Sequence, residues 1–142
     1  EEISLEEARQ TAERLGLLLP SPLPADANVY EGERNKAGEP EGRGVFRFAN
    51  GTVYEGEWKA GKYEGRGVMR FADGEVYDGE WKAGLPEGRG VYRYADDDVY
   101  EGEFKAGTRE GRGVYRLANG DVYEGEFKAG KQEGRGVMRY ID

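Results

Sequence analysis

Residues Val53–Arg70 read VYEGEWKAGKYEGRGVMR. Val53 to Lys59 alternates, sending Tyr54, Gly56 and Trp58 to one side and Val53, Glu55 and Glu57 to the other. Gly65 to Ala72 does the same, opposing Gly65, Gly67, Met69 and Phe71 to Arg66, Val68 and Arg70. Two alternating runs joined by a short Gly-containing loop predict a β-hairpin. Its glycines need a reason, because a glycine inside a strand costs roughly 0.5–1 kcal/mol relative to alanine.

The stretch recurs. Tyr30, Tyr54, Tyr77, Tyr100 and Tyr123 each open a Tyr-(Glu/Asp)-Gly-Glu unit at spacings of 24, 23, 23 and 23, and Gly44, Gly67, Gly90, Gly113 and Gly136 recur at 23 throughout. The extra residue lies near a loop, where "GERNKAGEPEG" from Gly32 replaces "GEWKAGKYEG" from Gly56. Five units fill 29–142, at 29–51, 52–74, 75–97, 98–120 and 121–142. A fixed period of this size predicts an array in which each unit buries its apolar face only against its neighbours.

The connection between units sets the register. A two-residue Asp73-Gly74 turn would pair Arg70 with Tyr77 and mix charge with rings, whereas a three-residue loop pairs Met69 with Tyr77. The second arrangement, a type I turn with Gly74 in the left-handed region forming a bulge, is the expected one. Applied along the chain it gives unbroken rows: one of glycines from Gly32 to Gly136, and beside it one of Tyr30, Phe46, Tyr54, Met69, Tyr77, Tyr92, Tyr100, Tyr115, Tyr123 and Met138. On the other side Trp58, Trp81, Phe104 and Phe127 alternate with Gly65, Gly88, Gly111 and Gly134. The glycines then form a trough between aromatic banks, with rings covering bare strand positions. The opposite face carries alternating Glu33, Arg43, Glu57, Arg66 and their successors, a solvated row whose pairs are each worth about 0.2–1 kcal/mol and pin register.

These units resemble the MORN repeat (membrane occupation and recognition nexus), whose pattern is close to Tyr-x-Gly-x-Trp-x-x-Gly followed by Gly-x-Gly. "YEGEWKAGKYEGRG" and "YDGEWKAGLPEGRG" match it closely, "YEGEFKAG" at Tyr100 and Tyr123 with an aromatic swap, and "YEGERNKAG" at Tyr30 least well. The resemblance implies a mainly β fold: an elongated, single-layer antiparallel meander of five hairpins. It also implies an accessory module that binds proteins or lipids. Two departures stand out. Arg34 and Asn35 replace the aromatic of the first unit, and Asp97 replaces the turn glycine in "ADDDVY", where the left-handed conformation strains or alters the turn.

Upstream, Ser4-x-x-Glu7 is a capping box, Leu5, Ala8, Ala12 and Leu15 share one helical face, and Gly16 suits a C-terminal stop. A short N-terminal α-helix over 5–15 is predicted within a capping segment, 1–19, followed by a Pro-rich linker, 20–28, containing "PSPLP". The helix is expected either to cap the first hairpins or to occupy the groove as a mimic of a partner helix. At the other end "GRGVMRYID" leaves a strand edge in mid-pattern, a template for a C-terminal edge homodimer.

Composition narrows function. The 142 residues hold no Cys and no His and only Ser4 and Ser21 as serines, so the usual nucleophile and base constellations, thiolate metal sites and disulfides are absent. No enzyme activity and no cofactor are expected. Residues 1–28 carry six acids and two bases and the other 114 carry twenty-three and nineteen, so each part contributes −4 to the net charge of −8. That balance argues against nucleic acid and against anionic membrane. Gly56-Glu-Trp-Lys-Ala-Gly-Lys62 spells most of a phosphate loop but continues with Tyr63 into a strand. Asp96-Asp97-Asp98 lacks the ligand spacing of a calcium loop, and Asn50-Gly51-Thr52 reads as an ordinary turn. No apolar run or basic leader directs the chain into or across a membrane, and a cytoplasmic location is expected.

The expected role is therefore a non-catalytic scaffold or protein-interaction module. Its candidate groove comprises Tyr54, Trp58, Tyr77, Trp81, Tyr92, Tyr100, Phe104, Tyr115, Tyr123 and Phe127, and would hold a helical or extended protein segment. In a single layer the same rings can instead be the core. The alternative function is a peripheral membrane or phosphoinositide-binding module. Near-identical repeats and a Lys/Glu/Arg-rich surface are also features of an engineered or consensus-type array, which needs no natural partner.

Overall fold

The computed structural model describes residues 28–141; the expected helix over 5–15 and most of the linker lie outside the described residues. Ten strands follow in order: β1 (Val29–Arg34), β2 (Pro40–Arg47), β3 (Val53–Lys59), β4 (Lys62–Arg70), β5 (Val76–Lys82), β6 (Leu85–Arg93), β7 (Val99–Lys105), β8 (Thr108–Arg116), β9 (Val122–Lys128) and β10 (Lys131–Arg139). Each pairs antiparallel with the next, forming one open meander sheet.

The expected register between units holds. Met69 lies opposite Tyr77 and Arg70 opposite Val76. In the connecting turn the Gly74 N–H donates to the Phe71 carbonyl at 3.0 Å, the Phe71 N–H donates to that of Glu75 at 2.8 Å, and Gly74 has φ +97°. Asp97 keeps this turn: its N–H donates to the Tyr94 carbonyl at 3.0 Å with φ +75°, so the aspartate bears the left-handed conformation without altering the fold. The glycine row is continuous, from Gly32 facing Gly44 through to Gly125 facing Gly136.

Within each hairpin the structure departs from strict alternation. Gly56 faces Gly67 and Trp58 faces Tyr63, so Glu64, Gly65 and Arg66 lie opposite the single residue Glu57. Gly65 takes φ +69° at this bulge, and a Cβ there would sit 2.6 Å from the Glu57 carboxylate. Two extra residues preserve the side-chain phase, which hid the bulge from a period-two reading. Hairpin tips such as Ala60-Gly61 (φ 49° and 82°) are two-residue turns with both residues left-handed, the twist-matched type for hairpins.

The glycine row has a more local cause than a trough between banks. Tyr54 lies over Gly67, where a Cβ would fall under 3.0 Å from its ring and hydroxyl, and the same holds for Tyr77 over Gly90 and Tyr100 over Gly113. A Cβ on Gly56 would instead meet the backbone of Gly67 and Arg66. One glycine of each facing pair thus admits a ring and the other admits a neighbouring strand.

The solvated face also differs in detail. Arg43 does lie opposite Glu57, and Arg66 opposite Glu80. The ion pairs within 4 Å nevertheless run diagonally within hairpins, as Arg47–Glu31 (3.6 Å), Arg70–Glu55 (3.9 Å), Arg116–Glu101 (3.3 Å) and Arg139–Glu124 (3.5 Å). In the third hairpin Asp78, one methylene shorter, pairs across the unit boundary with Arg66 at 3.9 Å. Such exposed pairs contribute little to stability.

Candidate protein-binding face

The ring residues form one ladder. Tyr30, Trp58, Tyr54, Trp81, Tyr77, Phe104, Tyr100, Phe127 and Tyr123 follow one another edge to face, with centroids 4.9–5.4 Å apart. Tyr54, Tyr77 and Tyr100 each stand between the large ring of their own hairpin and that of the next, a favourable geometry for aromatic quadrupoles. Tyr54, Tyr77 and Tyr100 are fully buried, Tyr92 is 1% exposed, Trp58, Trp81, Phe104 and Phe127 are 3–4% exposed, and Tyr115 is half-buried. These rings make the hydrophobic core of the layer.

Their polar ends are satisfied internally. The hydroxyls of Tyr54, Tyr77 and Tyr100 each donate to the carbonyl three residues on, at 2.8 Å, and the indoles of Trp58 and Trp81 donate to the carbonyls of Gly44 and Gly67 at 3.0 Å. Tyr92 donates to the Glu75 carboxylate at 2.5 Å, and Tyr115 to that of Asp98 at 2.9 Å. Burial raises the Tyr54, Tyr77, Tyr92 and Tyr115 hydroxyls above their usual range, and pushes Tyr100 up to about 12.

Two sets of carboxylates lock successive units together, and the sequence reading missed both. Glu41, Glu64, Glu87 and Glu110 each accept from the alanine N–H of the following hairpin tip, at 2.9–3.1 Å. Glu75, Asp98 and Asp121 each accept from a backbone N–H beyond the following hairpin, at 2.8–2.9 Å. Thr52 does so through its hydroxyl at 3.2 Å. Their only sequence signal is recurrence at 23 residues, which the charged surface disguised.

The departures in the first unit are accommodated. Arg34 places its guanidinium 4.8 Å from the Tyr30 ring and donates to the Gly38 carbonyl at 2.6 Å. The Asn35 side chain accepts from the Ala37 and Glu39 N–H groups at 2.9 Å, closing the longer loop. The phosphate-loop spelling runs through β3 and a hairpin tip whose Ala60 and Gly61 N–H groups go to Glu41 and to the Pro40 carbonyl. Among the described residues no group of three or more His, Cys, Asp or Glu is arranged to hold a metal ion, and no helix is long and apolar enough to cross a membrane.

The bulges carry surface relief. Three depressions, of about 480, 350 and 490 Å³, recur at successive hairpins along the sheet. The middle one is bounded by Glu87, Arg89, Glu103, Phe104, Lys105 and Glu110, and its counterparts have Trp81 and Phe127 in place of Phe104. Of the ten ring residues expected to line a groove, these three reach the depressions; the rest lie in the ladder or packed beside it.

An open meander of hairpins, each built from a ring lying on a glycine pair and latched to the next, defines a single-layer β-repeat protein. Five consecutive MORN repeats match residues 36–53, 54–76, 77–99, 100–122 and 123–142, and the chain belongs to the MORN-repeat family. No curated protein matches it. Among solved structures it is similar to the SAS-4 (dCPAP) TCP domain of Drosophila melanogaster, determined in complex with a proline-rich motif of Ana2 (dSTIL). That likeness has a TM-score of 0.51 at 14% identity and covers 87% of this chain, which spans 65% of the other; it is a likeness of fold.

Proposed function

We propose that the array is a non-enzymatic protein-interaction module that holds an extended protein segment running across its strands. The observation that carries this reading is the row of depressions repeating once per hairpin, each with one edge of the ring ladder in its wall. A surface with one period along its length suits a partner that is itself linear. The solved similar β domain was determined with a peptide motif, which supports the same class of partner. In this reading the rings beneath keep the face rigid, so little ordering accompanies binding, and the apolar contact of Trp81, Phe104 and Phe127 is confined to the narrow ring edges left by their 3–4% exposure. A displayed library of unbiased linear peptides tests it, with the full chain as bait. Enrichment of peptides that compete with one another for a single face is expected. No enrichment over background, or binding to anionic vesicles in preference to any peptide, would overturn it.

A further inference from the structure

The three depressions lie in one row and adjoin one another, Glu87 bordering both the first and the second and Glu110 both the second and the third. Their period is one hairpin, or two strands. Strands lie about 4.8 Å apart, so the row repeats every ~9.6 Å. A polyproline II helix has three residues per turn and rises about 3.1 Å per residue, so it presents the same side every ~9.3 Å. Over the two intervals the mismatch is only about 0.6 Å. An α-helix laid along the row returns to the same side after two turns, ~10.8 Å, and drifts about 2.4 Å over the same span. A β-strand presents one side every ~6.8 Å and falls out of step at the first interval.

Chemistry adds a second constraint. Acids outnumber bases in every segment: Glu57, Glu64, Glu80 and Glu87 against Arg66 and Lys82 in the first, and three carboxylates against one Arg and one Lys in each of the others. Each segment also has one aromatic wall, and aromatic-lined grooves suit the preformed, low-entropy polyproline II conformation. Resting on the interaction-module reading, the geometry points to a partner segment in the polyproline II conformation with Lys or Arg at every third position. One basic side chain enters each depression, beside Trp81, Phe104 and Phe127 in turn.

Titration calorimetry of the full chain with a peptide of about twelve residues, repeating Pro-Pro-Arg, tests this against a peptide of the same composition with its arginines irregularly placed. The regular peptide is expected to bind at least about tenfold more tightly. Combined E103Q and E126Q is expected to weaken the regular peptide about fivefold or more without lowering the unfolding temperature, since neither side chain belongs to the turn latches and glutamine keeps an acceptor oxygen over the Gly111 and Gly134 bulges. Equal affinity for the two peptides, or no effect of the double variant on binding, would overturn the register argument. If neither proline peptide binds while library peptides do, this inference falls and the module reading stands. If no peptide of any kind binds, both fall.

Discussion

The β3–β4 and β7–β8 hairpins fold over the same backbone with different material in the same place. In the first, Tyr63 faces Trp58, is fully buried, and stacks 4.1 Å from Tyr54 and 5.0 Å from both Trp58 and Trp81. In the second, Arg109 faces Phe104 and sets its guanidinium 5.2–5.9 Å from Tyr94, Tyr100, Tyr115 and Phe127. It donates to the Tyr94 hydroxyl at 3.2 Å and to the Gly130 carbonyl. Pro86 fills the corresponding place in the hairpin between them. A ring, a proline and a caged cation are thus equivalent to the backbone. What the units share, the facing glycines, the tyrosine over them and the left-handed tip, specifies the hairpin. The socket is specified only by volume and by partners for any polar end.

The largest predicted effect removes a shared feature. Gly56→Ala drives a Cβ into the backbone of Gly67, and a loss of more than about 4 kcal/mol is expected in urea unfolding. Gly74→Ala, which meets nothing within 4 Å but sits at φ +97°, should lose only about 1 kcal/mol. Similar losses would show that backbone freedom, and not close approach, is what the units share. Exchanging the variable residues comes next. Tyr63→Arg puts a cation where the counterparts of Tyr94 and Tyr115 are Phe48 and Met69, which lack hydroxyls, and should lose about 3 kcal/mol. Arg109→Tyr should stay within about 1 kcal/mol of the parent. If both exchanges were equally harmful, the socket would be more specific than its occupants suggest.

Alkaline pH acts on both hairpins through Tyr54 and Tyr100. Burial raises both hydroxyls, so the folded state holds protons that the unfolded chain loses near pH 10.0. Their contribution is complete below that pH and is lost as pH rises through the folded value, about 12 for Tyr100. Thermal unfolding followed by circular dichroism should be flat with pH below about 9 and fall above about 10, with tyrosinate absorbance appearing together with unfolding. The smallest effect lies at the turn preceding β7. Asp97→Gly relieves a left-handed aspartate and should gain about 0.5–1 kcal/mol, a rise of a few degrees in Tm, whereas a loss would mean that the carboxylate itself holds the turn.

Much of this was legible because a repeat multiplies every local signal by five. Register followed from one decision, whether Asp73-Gly74 or Ala72-Asp73-Gly74 makes the turn, since only the longer loop sets Met69, and not Arg70, opposite Tyr77. The bulge at Gly65 was not legible, because two extra residues leave alternation in phase. The Glu64 and Glu75 latches were hidden because an acid on a charged surface gives no sign of what its oxygens accept.

Period, strand alternation and turn chemistry are local properties, so the sequence by itself determined a one-layer antiparallel array and its rows. Which side of that layer is packed and which is open depends on how far each side chain reaches over its neighbours. Only the tertiary structure decided that the tyrosines lie down on the facing glycines and close the trough, because a ring's tilt and a hydroxyl's carbonyl partner are set by adjacent strands together. The same folding opened depressions at the bulged ends of the hairpins, where alternation no longer dictates what a partner would meet.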